Sequence, residues 1–118
     1  EFHPDLVFIS GGFDAARGDP LGGNRITPEG YGHLTHPLLA LAGGKVIFAL
    51  EGGYNLTSIS DAAAQVLSVL VGNPPEPLEE PAVPSDPASD DIALTERAQA
   101  PHWTCLSHCA VPEVAESL

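Results

Sequence analysis

Two side chains that can do chemistry follow the ends of two apolar segments. Asp14 lies four residues beyond Ser10, and Tyr54 lies four residues beyond Leu50. A carboxylate can bind a cation such as zinc, which accepts Asp oxygen at about 2.0–2.2 Å, and a phenol can donate a hydrogen bond to a developing oxyanion. The alternative is structural, with Asp14 capping a turn and Tyr54 packing against its neighbours. The pattern alone leaves both interpretations open.

The segments that precede these two residues are predicted β-strands. Residues 5–10 and 45–50 are short apolar runs that end at glycines or just before them. One helix is predicted between them and another after the second, which indicates a right-handed βαβ unit with parallel strands. Strands this apolar are expected to be buried on both faces of the sheet. Ligands of α/β sheets bind beyond the carboxyl ends of the strands, so Asp14 and Tyr54 are expected at one edge.

Both predicted helices have recognisable start signals. Thr27 is a predicted cap for the first, and Pro37 is expected to kink that helix. The second is predicted to begin at Thr57 or Ser58, since Ser58 and Asp61 are spaced as in a capping box. Its expected apolar face consists of Ile59, Ala63, Val66, Leu67 and Leu70.

The composition excludes some classes of protein. The 118 residues suffice for one small domain. Sixteen acidic residues against four basic ones give a net charge of −12, which argues against a nucleic-acid-binding surface. No apolar run approaches the roughly 20 residues that span a bilayer. The chain opens at Glu1 without Met, so an upstream part is expected to be missing.

Several motifs follow one another in order along the chain, in the segments 12–23, 27–31, 33–35 and 50–56. They resemble those of the zinc-dependent histone deacetylases of class II, and within that class the class IIb enzymes. The glutamate before the two glycines of the last motif is the class II feature. The resemblance implies the C-terminal part of the catalytic domain: an arginase-like α/β fold with a parallel sheet flanked by helices, of which only the C-terminal βαβα portion is present, and one zinc ion.

The resemblance also implies roles for individual residues. Asp14 would be one of three zinc ligands, and Tyr54 would polarise the acetyl carbonyl and stabilise the tetrahedral intermediate. Leu21 would line the acyl-lysine channel, and Gly53 would let the backbone aim Tyr54 and approach the substrate. The family's tandem His pair and the Asp-x-His segment that supplies two further zinc ligands do not occur in this sequence. By its own chemistry, Asp19 is expected to accept backbone N–H bonds within its loop.

The reaction implied is hydrolysis of N6-acetyl-lysine in a histone- or tubulin-type protein to lysine and acetate, in the cytoplasm, the nucleus or both. Leu21 favours this substrate, because the polyamine-specific branch has a glutamate there that would attract a cation. The segment around His102 and Trp103 resembles the polyamine branch more, so an acetylpolyamine amidohydrolase is one alternative. A non-catalytic interaction fragment is another. The chain alone is expected to be inactive without its partner, the N-terminal part of the same domain.

Three parts of the chain are predicted. Residues 1–73 belong to the catalytic domain, residues 74–91 form a flexible acidic Pro-rich linker, and residues 92–118 form a short helix and a disordered tail. A second zinc site near the end is a weaker hypothesis, because four ligands within eight residues give an unusual geometry. Free thiols and surface histidines are the favoured interpretation of this group, which consists of His102, Cys105, His108 and Cys109.

Overall fold

The computed structural model describes residues 2–79 and 83–104. These two ranges belong to two separate compact units of the chain. The first unit contains both predicted strands and the two loops that follow them, and the described part of the second contains one helix. No helix within the described ranges is long and apolar enough to cross a membrane.

The first unit is an α/β structure built on two parallel strands. Strand β1 (Val7–Gly11) pairs with strand β2 (Val46–Leu50), from Val7 opposite Val46 to Gly11 opposite Leu50. Helix α1 (Pro28–Thr35) lies between them in the chain, and helix α2 (Leu56–Leu70) follows β2. This order confirms the predicted α/β class with a parallel sheet.

Helix α1 begins where the sequence predicts and ends before Pro37, which was expected to lie within it. The Thr27 hydroxyl accepts a hydrogen bond from the Gly30 amide at 3.1 Å, so Thr27 is the cap. The α-helix stops at Thr35 and continues as a 3₁₀ turn, His36–Ala40. Pro37 therefore ends the α-helix rather than kinking it, since it has no N–H to donate to the preceding turn.

The start of helix α2 differs from the predicted capping box. The Asn55 side chain accepts a hydrogen bond from the Ser58 amide at 3.1 Å, and the helix begins at Leu56. Asparagine is among the best N-caps, and the Ser58 hydroxyl instead donates to the Arg17 carbonyl at 2.8 Å. The pairing of Ser58 with Asp61 was therefore the wrong signal, and the cap lies three residues earlier.

The core of this unit lies under the loop that carries Asp14. The Phe13 ring is 5.0 Å from the ring of Tyr31 and 5.6 Å from that of Phe48. Leu67, predicted on the buried face of α2, is 60% exposed. The buried apolar side chains are Phe13, Ala16, Tyr31, Ala62, Val66 and Val69.

The strands are less buried than predicted. Phe8, Ile47 and Leu50 are 64%, 46% and 62% exposed. The described residues thus do not by themselves bury both faces of the sheet. Burial on two faces needs layers on both sides of a sheet, and the first unit supplies two strands and two α-helices.

The second unit is built around helix α3 (Asp86–Gln99), which begins six residues before the predicted residue 92. Residues 86–91, predicted as linker, are therefore helical. Pro87 lies in the first turn, where a missing N–H costs nothing, and Asp86 is favoured near the positive helix end. No residue of α3 is buried. Cys105, His108 and Cys109 lie outside the described residues, as do residues 105–118 of the segment predicted as a short helix and tail, residues 92–118.

Candidate active site

Two loops leave the same edge of the sheet, because the strands are parallel and in register. The first loop comprises residues 12–27 and the second loop residues 51–55. Hydrogen bonds extend the strand pairing into them. The Glu51 amide donates to the Gly11 carbonyl at 3.0 Å, and the Phe13 amide donates to the Gly52 carbonyl at 2.7 Å. Asp14 and Tyr54 are therefore carried by neighbouring loops at one edge.

The Asp14 carboxylate lies against glycines of both loops. A Cβ atom on Gly12 would be 2.8 Å from Asp14 Oδ1, and one on Gly52 would be 3.3 Å from Asp14 Oδ2. Larger residues at these positions would thus crowd the carboxylate. Asp14 is half-buried. Its side chain lies close to the backbone of Gly52, which is two residues before Tyr54.

Tyr54 is presented to solvent by a backbone conformation that glycine adopts readily and other residues do not. The residue is 60% exposed, and Gly53 before it has a φ of 135°. A Cβ on Gly53 would come within 2.8 Å of Ile59 and 3.0 Å of Phe13. Glycine is therefore required on both conformational and steric grounds. The role of Gly53 in aiming Tyr54 stays a prediction.

Asp19 joins the two loops through its carboxylate. Oδ1 accepts hydrogen bonds from the amides of Leu21 at 2.8 Å and Gly22 at 3.0 Å, and Oδ2 accepts one from the amide of Tyr54 at 2.7 Å. Partial desolvation raises the pKa of Asp19. The three hydrogen-bond donors together lower this pKa by more than desolvation raises it, so the pKa lies below its usual value. The predicted loop-fixing role is confirmed, and it extends to the second loop.

Leu21 and Tyr54 are both exposed close to this carboxylate. Leu21 is 71% exposed, and its amide shares the Asp19 side chain with the amide of Tyr54. The structure thus brings Leu21, Gly53 and Tyr54 to the edge that also carries Asp14. Their roles in substrate and metal binding stay predictions.

Further bonds couple the loops at the start of α2. The Asn55 amide group donates to the Gly18 carbonyl at 3.0 Å, while its oxygen caps the helix. Asn55 was not predicted as a site residue. Asparagine directly before an apolar helical run is a cap signal, so the helix start could have been found, but not its partner in the first loop.

Tyr31 is a second residue that was not predicted as a site residue. Its hydroxyl donates to the Gly12 carbonyl at 3.3 Å, beneath the first loop. Desolvation raises the pKa of Tyr31, and the negative charges of Asp14 and Asp19 raise it further. A neutral phenol therefore supports the loop from below. The spacing of Tyr31, Leu34, Leu38 and Leu41 in the sequence indicates one apolar helix face, but nothing in it indicates the contact with Gly12.

The described residues of the first unit do not by themselves form a complete metal site. Among the described residues, no three His, Cys, Asp or Glu side chains cluster closely enough to hold an ion. Asp14 supplies one carboxylate at the candidate edge. His33 is exposed, and its ring contacts the Glu76 carbonyl at 2.9 Å.

Comparison with known proteins agrees with the architecture and the motifs. The sequence model of the histone deacetylase domain matches residues 1–70. The chain is 44% identical over 117 residues to polyamine deacetylase HDAC10 of Homo sapiens, covering 99% of this chain and 18% of that protein. It is 48% identical over 108 residues to histone deacetylase HDA1 of Saccharomyces cerevisiae, covering 89% of this chain and 15% of that protein.

A solved structure gives the same answer for the fold. The structure of the histone deacetylase Clr3 superposes with a TM-score of 0.81 at 45% identity, covering 87% of this chain and 17% of that one. The chain thus spans less than a fifth of the length of these relatives. Its βαβα unit is a portion of the arginase/deacetylase-like fold, and the chain belongs to the histone deacetylase family as a class II-like part of the catalytic domain.

Proposed function

We propose that this chain contributes one side of the active site of a zinc-dependent deacetylase that hydrolyses N6-acetyl-lysine in proteins. The observation that carries the proposal is the joining of the two loops, which holds Asp14 and Tyr54 at one edge of the sheet. Water adds to the acetyl carbonyl and the C–N bond breaks, so that lysine and acetate are the products.

Tyr54 is the proposed catalytic residue of this chain. Its exposed phenol donates a hydrogen bond to the acetyl carbonyl oxygen, and that bond strengthens as negative charge develops on the oxygen. Asp14 is the proposed zinc ligand. Since the described residues form no complete metal site, the remaining ligands are assigned to parts of the catalytic domain outside this chain.

Leu21 is proposed to favour acetyl-lysine in a protein over an acetylated polyamine. An apolar side chain at the mouth offers no charge to a cationic substrate, whereas a carboxylate would attract one. Polyamine hydrolysis is the second candidate, because the matched relative HDAC10 is named a polyamine deacetylase.

The proposed partners are an acetylated protein lysine and the rest of the same catalytic domain, without which the isolated chain is proposed to be inactive. The net charge of −12 disfavours direct nucleic-acid binding. A role on histones or tubulin places the protein in the nucleus, the cytoplasm or both. Turnover of an acetyl-lysine peptide by the purified 118-residue chain with zinc would contradict the inactivity.

A chimaera tests the proposed reaction. Residues 2–79 replace the matching segment of yeast HDA1, and the zinc-loaded protein is assayed on acetyl-lysine peptides and on an acetylpolyamine. We expect peptide hydrolysis that falls at least about 100-fold in kcat with Tyr54→Phe, because one oxyanion donor is lost. The control Thr57→Ala changes an exposed side chain nearby and is expected to retain activity.

The substrate assignment is tested in the same chimaera. Leu21→Glu is expected to raise the ratio of polyamine to peptide turnover, while Leu56→Glu, at a residue that is 83% exposed on α2, is expected to leave that ratio unchanged. A chimaera that is folded but hydrolyses neither substrate would contradict the deacetylase proposal. One that hydrolyses only the polyamine would establish the second candidate.

A further inference from the structure

We infer that Asp19 is a positioning residue that holds the Tyr54 phenol in place through the Tyr54 backbone. This inference rests on the proposed function of Tyr54. The contact at 2.7 Å joins a carboxylate in the first loop to an amide 35 residues later. Gly53, the residue before Tyr54, is conformationally permissive and restrains it little. On the other side, Asn55 is held by the Gly18 carbonyl and by the start of α2.

The arrangement divides the two oxygens of Asp19 between two tasks. Oδ1 holds the amides of Leu21 and Gly22, and Oδ2 holds the amide of Tyr54. The position of the proposed channel residue and that of the proposed catalytic residue are thus set by one planar group. A carboxylate is the side chain of this length that offers acceptors on both sides, since the amide of asparagine has one acceptor and one donor group.

Weakening this contact is expected to misplace the Tyr54 phenol rather than to lower the affinity for substrate. Tyr54 is 60% exposed, so little packing would hold its phenol once its backbone shifts. Misplacement of a catalytic group by about 1 Å can cost roughly 100-fold in rate. The effect belongs in kcat, because the proposed bond from Tyr54 strengthens in the transition state.

Asp19→Asn separates the two tasks. Its single acceptor is expected to stay with Leu21 and Gly22, where it satisfies two donors, and to leave the Tyr54 amide without a partner. Amide hydrogen exchange in the complete 118-residue chain should then become faster at Tyr54 and change little at Leu21 and Gly22. Asp19→Ala should speed exchange at all three, and Asp61→Ala, at an exposed helical site, should alter none of them.

Activity in the HDA1 chimaera tests the link to catalysis. Asp19→Asn should lower kcat by about 10- to 100-fold with KM within about twofold, whereas Asp19→Ala should also raise KM. In a Tyr54→Phe background, Asp19→Asn should cost less than about threefold, because the group it positions is absent. Asp61→Ala is again the control.

Two results would overturn the inference. One is unchanged exchange at Tyr54 in Asp19→Asn, and the other is an equal loss of kcat with and without the Tyr54 hydroxyl. If the exchange pattern is as expected but the parent chimaera is folded and inactive, the positioning of the Tyr54 backbone by Asp19 is supported. The deacetylase proposal is then contradicted. The two failures are therefore distinguishable.

Discussion

The first and second loops end up side by side but are held in different ways. The first loop makes many of its own hydrogen bonds, including those from the Arg17 amide to the Ile26 carbonyl and from the Ile26 amide to the Ala15 carbonyl. The second loop takes its partners mainly from the first, through Phe13, Gly18 and Asp19. The first loop is thus the template, in the sense that it provides the hydrogen-bond partners that hold the second loop in place.

This dependence has a physical origin in length and anchoring. The first loop carries Phe13, which is 1% exposed in the core, and Ala16, which is 2% exposed. The five residues of the second loop are half-buried or exposed and include two adjacent glycines. A short loop rich in glycine loses much conformational entropy on folding, so bonds from a preformed neighbour are needed to hold it. Disturbing the first loop should therefore alter both loops, and the reverse should not hold.

Gly22→Ala is expected to have the largest effect on stability. Its Cβ would run into the backbone carbonyl of Asp14, and a backbone atom yields only if the loop moves. We expect the free energy of unfolding to fall by about 3 kcal/mol, measured by urea denaturation, and NMR amide signals of both loops to shift. The control Gly23→Ala has a φ of 67° but open space around it, so it should cost only about 1 kcal/mol. Equal losses would contradict the steric argument.

Gly53→Ala is expected to have the next largest effect on stability. The φ of 135° and the contacts of an added Cβ with Ile59 and Phe13 should lower the free energy of unfolding by about 2 kcal/mol. Amide signals should move in the second loop while the Arg17 and Ile26 amides stay protected from exchange. Gly52→Ala, without a positive φ, serves as the comparison. Loss of protection at Arg17 and Ile26 would show that the first loop is no independent template.

The smallest expected effect is the pH dependence of the stability that the Asp19 carboxylate adds by joining the two loops. The pKa of Asp19 is lowered in the folded chain, so its ionised form stabilises the fold. This contribution is fully present above the unfolded pKa of about 3.9 and is lost as pH falls through the folded pKa. The difference in unfolding free energy between the parent and Asp19→Asn should therefore be constant above about pH 5 and shrink in acid. A difference that grows toward low pH would contradict the bridge.

Local chemistry made the elements of this chain predictable. The apolar runs and the cap at Thr27 indicated the strands and the start of α1, because each signal acts within a few residues. The same reasoning failed at Ser58 and Leu67. Two cap signals competed over one helix turn, and the buried face of α2 depends on what packs against it. The early start of α3 at Asp86 was missed because a Pro-rich composition was interpreted as linker.

By itself, the sequence determined that Asp14 and Tyr54 follow parallel strands, and its motifs indicated the family. Only the tertiary structure decided how the two are held: the hydroxyl of Tyr31 under Gly12 and the carboxylate of Asp19 on the Tyr54 amide. The physical reason is that a strand or a cap is specified by neighbours in the chain, whereas a hydrogen bond between residues 35 positions apart exists only once the core has brought the loops together.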